Sequence, residues 1–342
     1  MAYTTINKST DYFNTKLYTG TGSSNALTGV GFQPDWTWIK KRDGTNYHVL
    51  TDAVRLATKQ IYSNDTGAEQ TVAEGLKSFD SDGFTLGTNG DTNGNGGSYV
   101  GWNWKANGQG SSNTDGSINT TYTSVNTTAG FSIITYTGTG SAGTIGHGLG
   151  VVPDFWMVKA RSETRAWYGW SKGMSYGDVI NWSHSGAKST DASLFTSNAP
   201  TNQVINLGSS VGVNNNGITF VCYAFASKTG YSKFGSYTGN GNADGTFVYT
   251  GFKPAFLIIK RTDTTKNWYM HDIKRDGYNT DNPYLSPNLN ASETGGTELD
   301  LYSNGFKMRS SGTGHNESGG TYIYMAFGQS LVGSNNVPCT AR

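Results

Sequence analysis

The stretch GFQPDWTWIKKR, residues 31–42, places apolar side chains directly after a proline and ends them with positive charge. Similar stretches stand at residues 150–161, GVVPDFWMVKAR, and at residues 251–262, GFKPAFLIIKRT. Proline is tolerated at the first position of a strand, where its missing N–H lies outside the ladder. Since successive side chains of a strand alternate between its two faces, each stretch predicts a buried strand. The chain therefore contains the same strand pattern three times.

Two further landmarks accompany each proline strand. A glycine-rich turn begins at a tyrosine 16 or 17 residues before the proline, and an apolar strand follows the proline at a spacing of 70 to 73 residues. Landmarks in one order at near-equal spacing indicate an internal repeat. The turns are YTGTGS at 18–23 and 136–141 and YTGNGN at 237–242; the closing strands are SYVGWNWKA at 98–106, TFVCYAFAS at 219–227 and TYIYMAFGQ at 321–329.

These landmarks predict three units, joined by segments of different composition. The segment between the first two units is almost entirely Gly, Ser, Thr and Asn, which is typical of an extended linker or an edge ribbon. The last segment has little periodicity, and we expect it to cover a neighbouring surface. The predicted divisions are unit 1 (1–106), a linker (107–130), unit 2 (131–227), unit 3 (228–329) and a tail (330–342).

The composition favours an all-β fold. Charged residues are 14% of the chain and apolar residues 35%, while Gly (47), Tyr (20) and Trp (9) are abundant. Gly serves tight turns, and aromatic and β-branched residues fit a pleated, half-buried surface. The richness in aromatics argues against disorder. We predict three tandem β-sandwich units of the jelly-roll or lectin-like kind, with one helical turn at 52–62.

Charge and targeting signals exclude several classes of partner. The net charge of +1 gives no field for nucleic acid or an anionic membrane, and no apolar run is long enough to cross a bilayer. The N-terminal residues lack the pattern of a Sec-type signal. Two cysteines, Cys222 and Cys339, do not make a disulfide framework. We therefore expect synthesis in a reducing cytoplasm.

Comparison of the units separates core aromatics from the others. Positions that stay bulky and apolar in every unit are expected to fill the interior. These positions are Trp36, Phe155 and Phe256; Trp38, Met157 and Ile258; Tyr47, Trp167 and Trp268; and Trp102, Trp104, Tyr223, Phe225, Met325 and Phe327.

The sequence contains no recognisable catalytic constellation. The five histidines lack metal-ligand spacing, and His147 in TIGHGLG is expected to serve a turn, with a ligand role as the lesser alternative. Cys222 lies in an apolar strand, where burial disfavours a thiolate. No acidic position recurs across the units as a glycosidase pair would. We predict a protein that is not an enzyme and that uses no cofactor.

Two features have a structural and a functional interpretation. Asp80 and Asp82 in FDSDGF suit a hairpin turn, but they also resemble a fragment of a calcium loop. Lysines recur six residues after each proline, as Lys40, Lys159 and Lys260. They are expected to keep their ammonium groups in water and protect a sheet edge, or else to supply charge to an interface.

Three tryptophans have no apolar counterpart in the other units. Trp156 faces away from the predicted core pair, and Trp170 and Trp182 lie in loop-rich surroundings. An exposed indole beside Asn and Ser suits stacking on a sugar ring, and it suits a subunit interface equally well. We expect these residues to bind glycan, to form an interface or simply to pack.

The run from WNWKANGQGSSNTDG to VVPDFWMVKAR, residues 102–161, resembles the repeat domain of tail-fibre-like and other virion structural proteins of marine tailed phages, especially cyanophages. The opening MAYTTINKSTDYF and the closing YIYMAFGQSLVGSNNVPCTAR are similar to the ends of the same proteins. The resemblance implies a non-enzymatic virion component, assembled in the host cytoplasm, that associates with itself and other virion proteins. A homotrimer follows by analogy with fibres, and contact with host-surface polysaccharide stays open.

The sequence departs from long tail fibres in one respect. Those proteins begin with an anchoring domain and a slender trimeric stalk, whereas here the first unit starts about a dozen residues into the chain. We therefore expect the units themselves to dock on the virion, or the protein to be a short appendage or a head-decorating protein. A dedicated receptor-binding lectin is the alternative, and a polysaccharide depolymerase is a third.

Overall fold

The computed structural model describes residues 4–275, 279, 283–330 and 332. The all-β prediction is confirmed, since 42% of the chain is strand and 3% is helix, and the sheets are antiparallel. Cys339 and nearly all of the predicted tail lie outside the described residues. The helices in the described part are single turns, and none of them is long or apolar enough to span a bilayer.

Unit 1 contains one large and one small sheet. A 3-10 turn at Ser9–Asp11 precedes the first strand, and a single-turn helix, α1 (Gly90–Asn93), precedes the last. The strands are β1 (Phe13–Thr19), β2 (Asn25–Leu27), β3 (Trp36–Lys41), β4 (Val49–Asp52), β5 (Lys59–Tyr62), β6 (Gln70–Thr71), β7 (Leu76–Asp80), β8 (Gly83–Leu86) and β9 (Ser98–Trp104). The large sheet has the order β1-β9-β3-β4-β5-β6, and the small one β2-β8-β7.

Unit 2 follows the same plan with one strand added in front. The strands are β10 (Thr120–Asn126), β11 (Phe131–Thr137), β12 (Gly143–Gly146), β13 (Phe155–Ala160), β14 (Tyr168–Ser171), β15 (Asp178–Val179), β16 (Ser189–Thr190), β17 (Val204–Leu207) and β18 (Thr219–Phe225), with helix α2 (Val211–Asn214) before β18. The large sheet is β10-β11-β18-β13-β14, and two small sheets are β12-β17 and β15-β16.

Unit 3 has the fewest strands in the described part of the chain. They are β19 (Ser232–Thr238), β20 (Phe247–Tyr249), β21 (Lys253–Arg261), β22 (Trp268–Asp272), β23 (Leu299–Tyr302), β24 (Gly305–Met308) and β25 (Thr321–Gln329). The large sheet is β19-β25-β21-β22, and the small sheet is β20-β24-β23.

The same four strands form the centre of each large sheet. The opening strand pairs with the closing strand, the closing strand with the proline strand, and the proline strand with the strand after it; these sets are β1-β9-β3-β4, β11-β18-β13-β14 and β19-β25-β21-β22. The register also corresponds, because Trp36 lies opposite Trp104, Phe155 opposite Phe225, and Phe256 opposite Phe327. Equivalent bulky residues therefore occupy equivalent places.

Each large sheet is covered on both faces. In unit 1, Ile39 packs towards Leu27 and Phe84 of the small sheet, while the adjacent Trp38 points into the central core. Alternation along the strand produces this division. Residues of all three units share that central core, so the units do not form separate cores joined by linkers. The jelly-roll or lectin-like variant and the domain boundaries stay predictions.

Three local expectations require comment. The predicted helical turn at 52–62 is wrong: β4 and β5 enclose a tight turn in which Leu56 has φ 78°. Residues 120–126 of the linker form β10, an edge strand on β11, as the edge-ribbon alternative expected. Tyr47 is wrongly assigned to the core, since it is 43% exposed and only rests against Tyr62, 4.7 Å between ring centroids.

Candidate functional site

The interface between units 1 and 2 is built around a buried ion pair. Arg55 Nε donates to Asp52 Oδ2 at 2.5 Å, and neither side chain is exposed. Tyr223, on the closing strand of unit 2, donates its hydroxyl to the same carboxylate oxygen at 2.6 Å. Arg55 also donates to the oxygen of Tyr223 at 3.2 Å. A buried ion pair is stable only when its remaining donors and acceptors are satisfied, and this one meets that condition through the neighbouring unit.

Units 3 and 1 repeat this arrangement at equivalent positions. Arg275 Nε donates to Asp272 Oδ2 at 2.5 Å, and the closing strand of unit 1 supplies Trp102, whose indole N–H donates to that oxygen at 3.0 Å. The guanidinium of Arg275 lies 5.7 Å from the centroid of the Trp102 ring. Tyr223 and Trp102 thus play the same part for two different neighbours.

The interface between units 2 and 3 carries uncharged residues where the other two carry charge. Ser171 stands at the position of the aspartates, Met174 at that of the arginines, and Met325 at that of the aromatic donors. Ser171 and Met325 line a cavity of about 10 Å³, the size of a single water. Replacement of a buried ion pair by apolar side chains is energetically permissible.

A glutamate bridges two arginines at each of the charged interfaces. Glu69 accepts from Arg55 at 3.0 Å and from Arg161 of unit 2 at 3.0 and 3.1 Å. Burial would raise the pKa of Glu69, but the hydrogen bond and charge of Arg161, together with Arg55, outweigh it and lower the pKa. Glu293 bridges Arg275 and Arg42 in the same way between units 3 and 1.

Trp182 lies where the three units meet. Its side chain is 0% exposed, and its ring centroid is 5.2 Å from Trp38 of unit 1, 5.4 Å from Trp167 of unit 2 and 6.4 Å from Trp268 of unit 3. The expected exposure of this residue is wrong. Packing between units buries a residue whose sequence neighbours, NWSHS, are polar.

Trp156 and Trp170 are also buried, at 3% and 4% exposure. They stack on each other across β13 and β14, with centroids 4.6 Å apart, and Phe195 meets Trp156 edge-on. The indole N–H of Trp170 donates to the Ser175 carbonyl at 3.0 Å. The loop after β16 covers the face on which an exposed indole was expected. Neither indole therefore offers a surface to a sugar. Of the three interpretations, packing fits all three tryptophans.

The three recurrent lysines are buried, so the expected solvated strand end is wrong. Lys159 donates to the carbonyl of Thr66 in unit 1 at 3.2 Å, and Lys260 to that of Ser185 in unit 2 at 3.3 Å. Lys40 donates to Gly44 at 2.9 Å within its own unit. Burial lowers the pKa of Lys260 to about 7 and the pKa values of the other two to about 8. Loops of neighbouring units cover the strand ends at Lys159 and Lys260, and the loop that follows β3 covers Lys40.

The predicted turn residues serve turns. Asp80 pairs with Gly83 in the hairpin between β7 and β8, and its carboxylate accepts from two hydroxyl groups, of Ser78 and Thr85. Asp82 accepts from the backbone N–H groups of Gly29 and Gly31 at 2.9 and 2.6 Å.

His147 is likewise held in place by hydrogen bonds to other parts of the chain. It is buried, and its Nδ1 accepts from the N–H of Leu149 at 3.1 Å. No cluster of three metal-ligating side chains occurs within the described ranges. A calcium ion would have to compete with the donors already bonded to both aspartates.

Three buried asparagines, which the sequence reasoning missed, close the glycine-rich turns. Asn214 accepts from the Thr139 N–H at 2.8 Å and donates to the carbonyls of Ser141 and Gly208 at 2.6 and 3.1 Å. Asn93 and Asn316 make equivalent bonds. Each stands six residues before an aromatic of the closing strand, at Tyr99, Phe220 and Tyr322, and that constant offset was the available signal.

Unit 3 exposes two aromatic side chains on the edge strand of its small sheet. Phe247 and Tyr249 of β20 are 45% and 53% exposed, and they border an open groove of about 750 Å³ beside β19. Comparison of the units would have found them, because the register places small or polar residues at the equivalent sites, which are Ala26 and Thr28 in unit 1 and Thr144 and Gly146 in unit 2.

The fold and these interfaces define an all-β protein whose three large sheets pack around one aromatic core. The chain belongs to a family described as a domain of unknown function, DUF7483, whose model matches residues 8–330. Comparison with curated proteins and with solved structures gave no match.

Proposed function

We propose that this chain is a non-enzymatic structural protein of a bacteriophage particle, acting in a tail fibre or another surface appendage. The proposal rests on one observation, namely that the buried charged side chains are bonded to one another and to the neighbouring unit. Asp52 and Arg55 are fully buried and Glu69 nearly so, and the three are bonded to one another and to the next unit. General acid–base catalysis needs a group within reach of a substrate. Charges held in this way stabilise a single arrangement of the three units.

The resemblance of residues 102–161 to virion structural proteins of marine tailed phages supplies the particle context for this proposal. A surface component must withstand conditions outside the cell, and Cys222, the cysteine within the described residues, is buried and unpaired. The shared aromatic core and the satisfied ion pairs offer that resistance without a disulfide.

The decisive experiment is to locate the chain in a map of the intact particle and to count its copies. Density for this fold on the tail or on an appendage is the expected result. A regular arrangement on the capsid surface would favour the head-decoration alternative. Absence of the protein from purified particles, judged by quantitative mass spectrometry, would refute a virion role.

Two further parts of the proposal have separate tests. A homotrimer would have three times the chain mass of 36.7 kDa, which native mass spectrometry measures directly. One chain already closes its own ring of three sheets, so a trimer would have to form through outer surfaces. Release of reducing ends from host capsular polysaccharide by the purified protein would contradict the non-enzymatic assignment and favour the depolymerase.

A further inference from the structure

The groove in unit 3 presents side chains to a ligand, because the backbone edge of β19 beside it is already bonded. Ser232 exchanges backbone hydrogen bonds with Lys228, and the N–H of Phe234 donates to Ser227 Oγ. A further strand therefore has no continuous edge on which to pair. Recognition in this groove has to come from its aromatic, hydroxyl and ammonium groups.

Gly235 provides space in the wall of the groove. The equivalent positions of the other opening strands carry side chains, Lys16 in unit 1 and Ile134 in unit 2. The backbone at Gly235 does not have the positive φ that would itself require glycine. The missing side chain thus contributes room, and the groove of about 750 Å³ lies within the range of small-molecule sites.

The hydroxyl group of Tyr324 is directed at this room. Tyr324 lies opposite Gly235 on the closing strand, and a Cβ on Gly235 would lie 2.9 Å from that hydroxyl oxygen. The Tyr324 side chain is only 4% exposed, burial alone raises its pKa to about 12, and its hydroxyl has no hydrogen-bond partner among the described residues. Units 1 and 2 carry Gly101 and Cys222 at this position. Because polar groups buried to this extent are normally hydrogen-bonded, the hydroxyl is available to a ligand.

Exposed aromatic side chains of the small sheet lie beside the groove. Phe247 and Tyr249 are two residues apart on β20 and therefore share one face of the strand. Phe247 packs edge-on against Tyr302, with ring centroids 6.1 Å apart, and all three side chains are more than a third exposed. Asp80 of unit 1 stands at the position of Tyr302. Aromatic faces with a few convergent polar groups are typical of small-molecule sites, and they suit the C–H face of a sugar ring.

The charge of the groove favours an anionic ligand. Lys172 and Lys233 line it, and none of the described residues that line it is Asp or Glu. Lys172 is paired with Asp154 at 3.0 Å, whereas Lys233 donates to the carbonyl of Tyr249 at 2.6 Å and lies 5.4 Å from the centroid of the same tyrosine ring. An ammonium group has three donors, so two remain on Lys233. A carboxylate would form the stronger, charge-assisted hydrogen bond with them.

The surroundings of the aromatic side chains favour a sugar over a protein partner. Ion pairs flank them on the same face, between Lys307 and Asp244 and, at 3.1 Å, between Arg309 and Asp300. The cores of protein interfaces are poor in charged residues, since these would have to leave water. A sugar carries hydroxyl groups that bond to such side chains at the rim and leave them hydrated.

We propose that the groove of unit 3 binds an acidic oligosaccharide, with a sugar ring on Tyr249, a carboxylate on Lys233 and a ring hydroxyl that accepts from Tyr324. On a virion, this site would contact the polysaccharide of the host surface. The site does not rest on the virion role, because the sugar can bind to a protein that is absent from the particle, and the reverse also holds.

The test is a ligand-observed NMR titration of the full chain with uronate trisaccharides and with their methyl esters. The trisaccharides are those of glucuronate, galacturonate, mannuronate and guluronate, and each ester keeps the rings and hydroxyl groups but removes the charge. We expect at least one acid to bind with a Kd of about 1 mM or lower, and its ester to bind about threefold to fivefold more weakly. Lys233→Met should abolish this difference by weakening the binding of the acid alone.

Three further variants locate the sugar and separate binding from folding. Tyr324→Phe removes a hydroxyl that bonds nothing in the described chain, so binding should weaken about fivefold while the urea midpoint stays unchanged. Phe247→Ala with Tyr249→Thr, the residues of unit 1, should weaken acid and ester alike by about tenfold. Gly235→Ile, the residue of unit 2, should block the groove. Tyr47→Thr removes an exposed tyrosine of unit 1 and, as the control, should leave binding unchanged.

Four results would overturn the proposal. They are a lack of binding by every acid at about 10 mM, equal binding of each acid and its ester, and binding that survives both Gly235→Ile and the double replacement at Phe247 and Tyr249. The fourth is self-association of the chain that Tyr249→Thr abolishes, in the absence of sugar binding, which would assign the aromatic side chains to a contact between copies.

Discussion

The indole N–H of Trp102 donates to Asp272 Oδ2 at 3.0 Å and so ties the closing strand of unit 1 to unit 3. Tyr223 does the same for Asp52, and both aspartates hold an arginine three residues later in the chain. The two donors occupy the same register position of their sheets. An aromatic that fills the core with its ring and satisfies a buried carboxylate with its polar atom serves two purposes at one site.

Loss of the donor should destabilise the protein without a change of shape. Tyr223→Phe removes only the hydroxyl, leaving Asp52 and Arg55 each short of one buried hydrogen bond. We expect the free energy of unfolding to fall by about 1–3 kcal/mol, measured by urea denaturation. Tyr249→Phe, at an exposed site, is the control and should change it by less than about 0.5 kcal/mol. Equal effects of the two variants would contradict the proposed role of the hydroxyl.

The uncharged interface between units 2 and 3 should not tolerate a single charge. Ser171→Asp places a carboxylate where Asp52 and Asp272 stand in the other units, but Met174 offers it no counter-ion. We expect a loss of about 3–5 kcal/mol in the free energy of unfolding. Adding Met174→Arg should recover part of that loss, which a double-mutant cycle would measure as a favourable coupling energy. Additive effects of the two changes would show that position alone does not recreate the ion pair.

The buried asparagines should be far more sensitive than their neighbours. Asn214→Ala removes three hydrogen bonds and leaves the carbonyl of the buried Gly208 without this donor, so we expect a loss of about 3 kcal/mol. The adjacent Asn215 bonds the carboxylate of Glu163 at the surface, at 3.1 Å. Asn215→Ala should therefore cost well under about 1 kcal/mol. Thermal and urea unfolding of both variants would decide, and a small effect at Asn214 would refute its role in closing the turn.

The buried lysines should make stability rise with pH. Burial lowers the pKa of Lys260 to about 7, against 10.5 in the unfolded chain, and those of Lys40 and Lys159 to about 8. Between these limits the unfolded chain binds more protons than the folded one, so the free energy of unfolding increases with pH. Above pH 10 buried tyrosines contribute a slope of the opposite sign, since burial raises the pKa of Tyr324 to about 12.

Urea midpoints measured across this range at constant ionic strength would test the slope. Lys260→Met keeps the apolar stem but removes the ammonium group, and it should make the rise between pH 7 and 10.5 shallower. An unchanged slope in this variant would mean that Lys260 stays charged in the folded protein.

The sequence predicted the strands correctly, but it did not predict the burial of the tryptophans. The proline strands, the closing strands and the hairpin at Asp80 follow from period-two patterns and turn residues, which act over a few positions. Trp156 was expected at the surface because it faces away from the predicted core pair, and Trp182 because its surroundings are rich in loop residues. Elements distant in sequence cover both side chains, and the local pattern of residues gives no information about those elements.

The sequence by itself determined the β-strands, their order within each unit and the bulky residues that match between units. Those properties depend on the local alternation of apolar and polar residues and on constant spacing, and both can be read from the sequence. The tertiary structure decided which charged side chains are buried in ion pairs and which aromatic side chains remain exposed. The bond from Tyr223 to Asp52 spans 171 residues, and whether a carboxylate is buried with a partner or left in water depends on which surface folds against it.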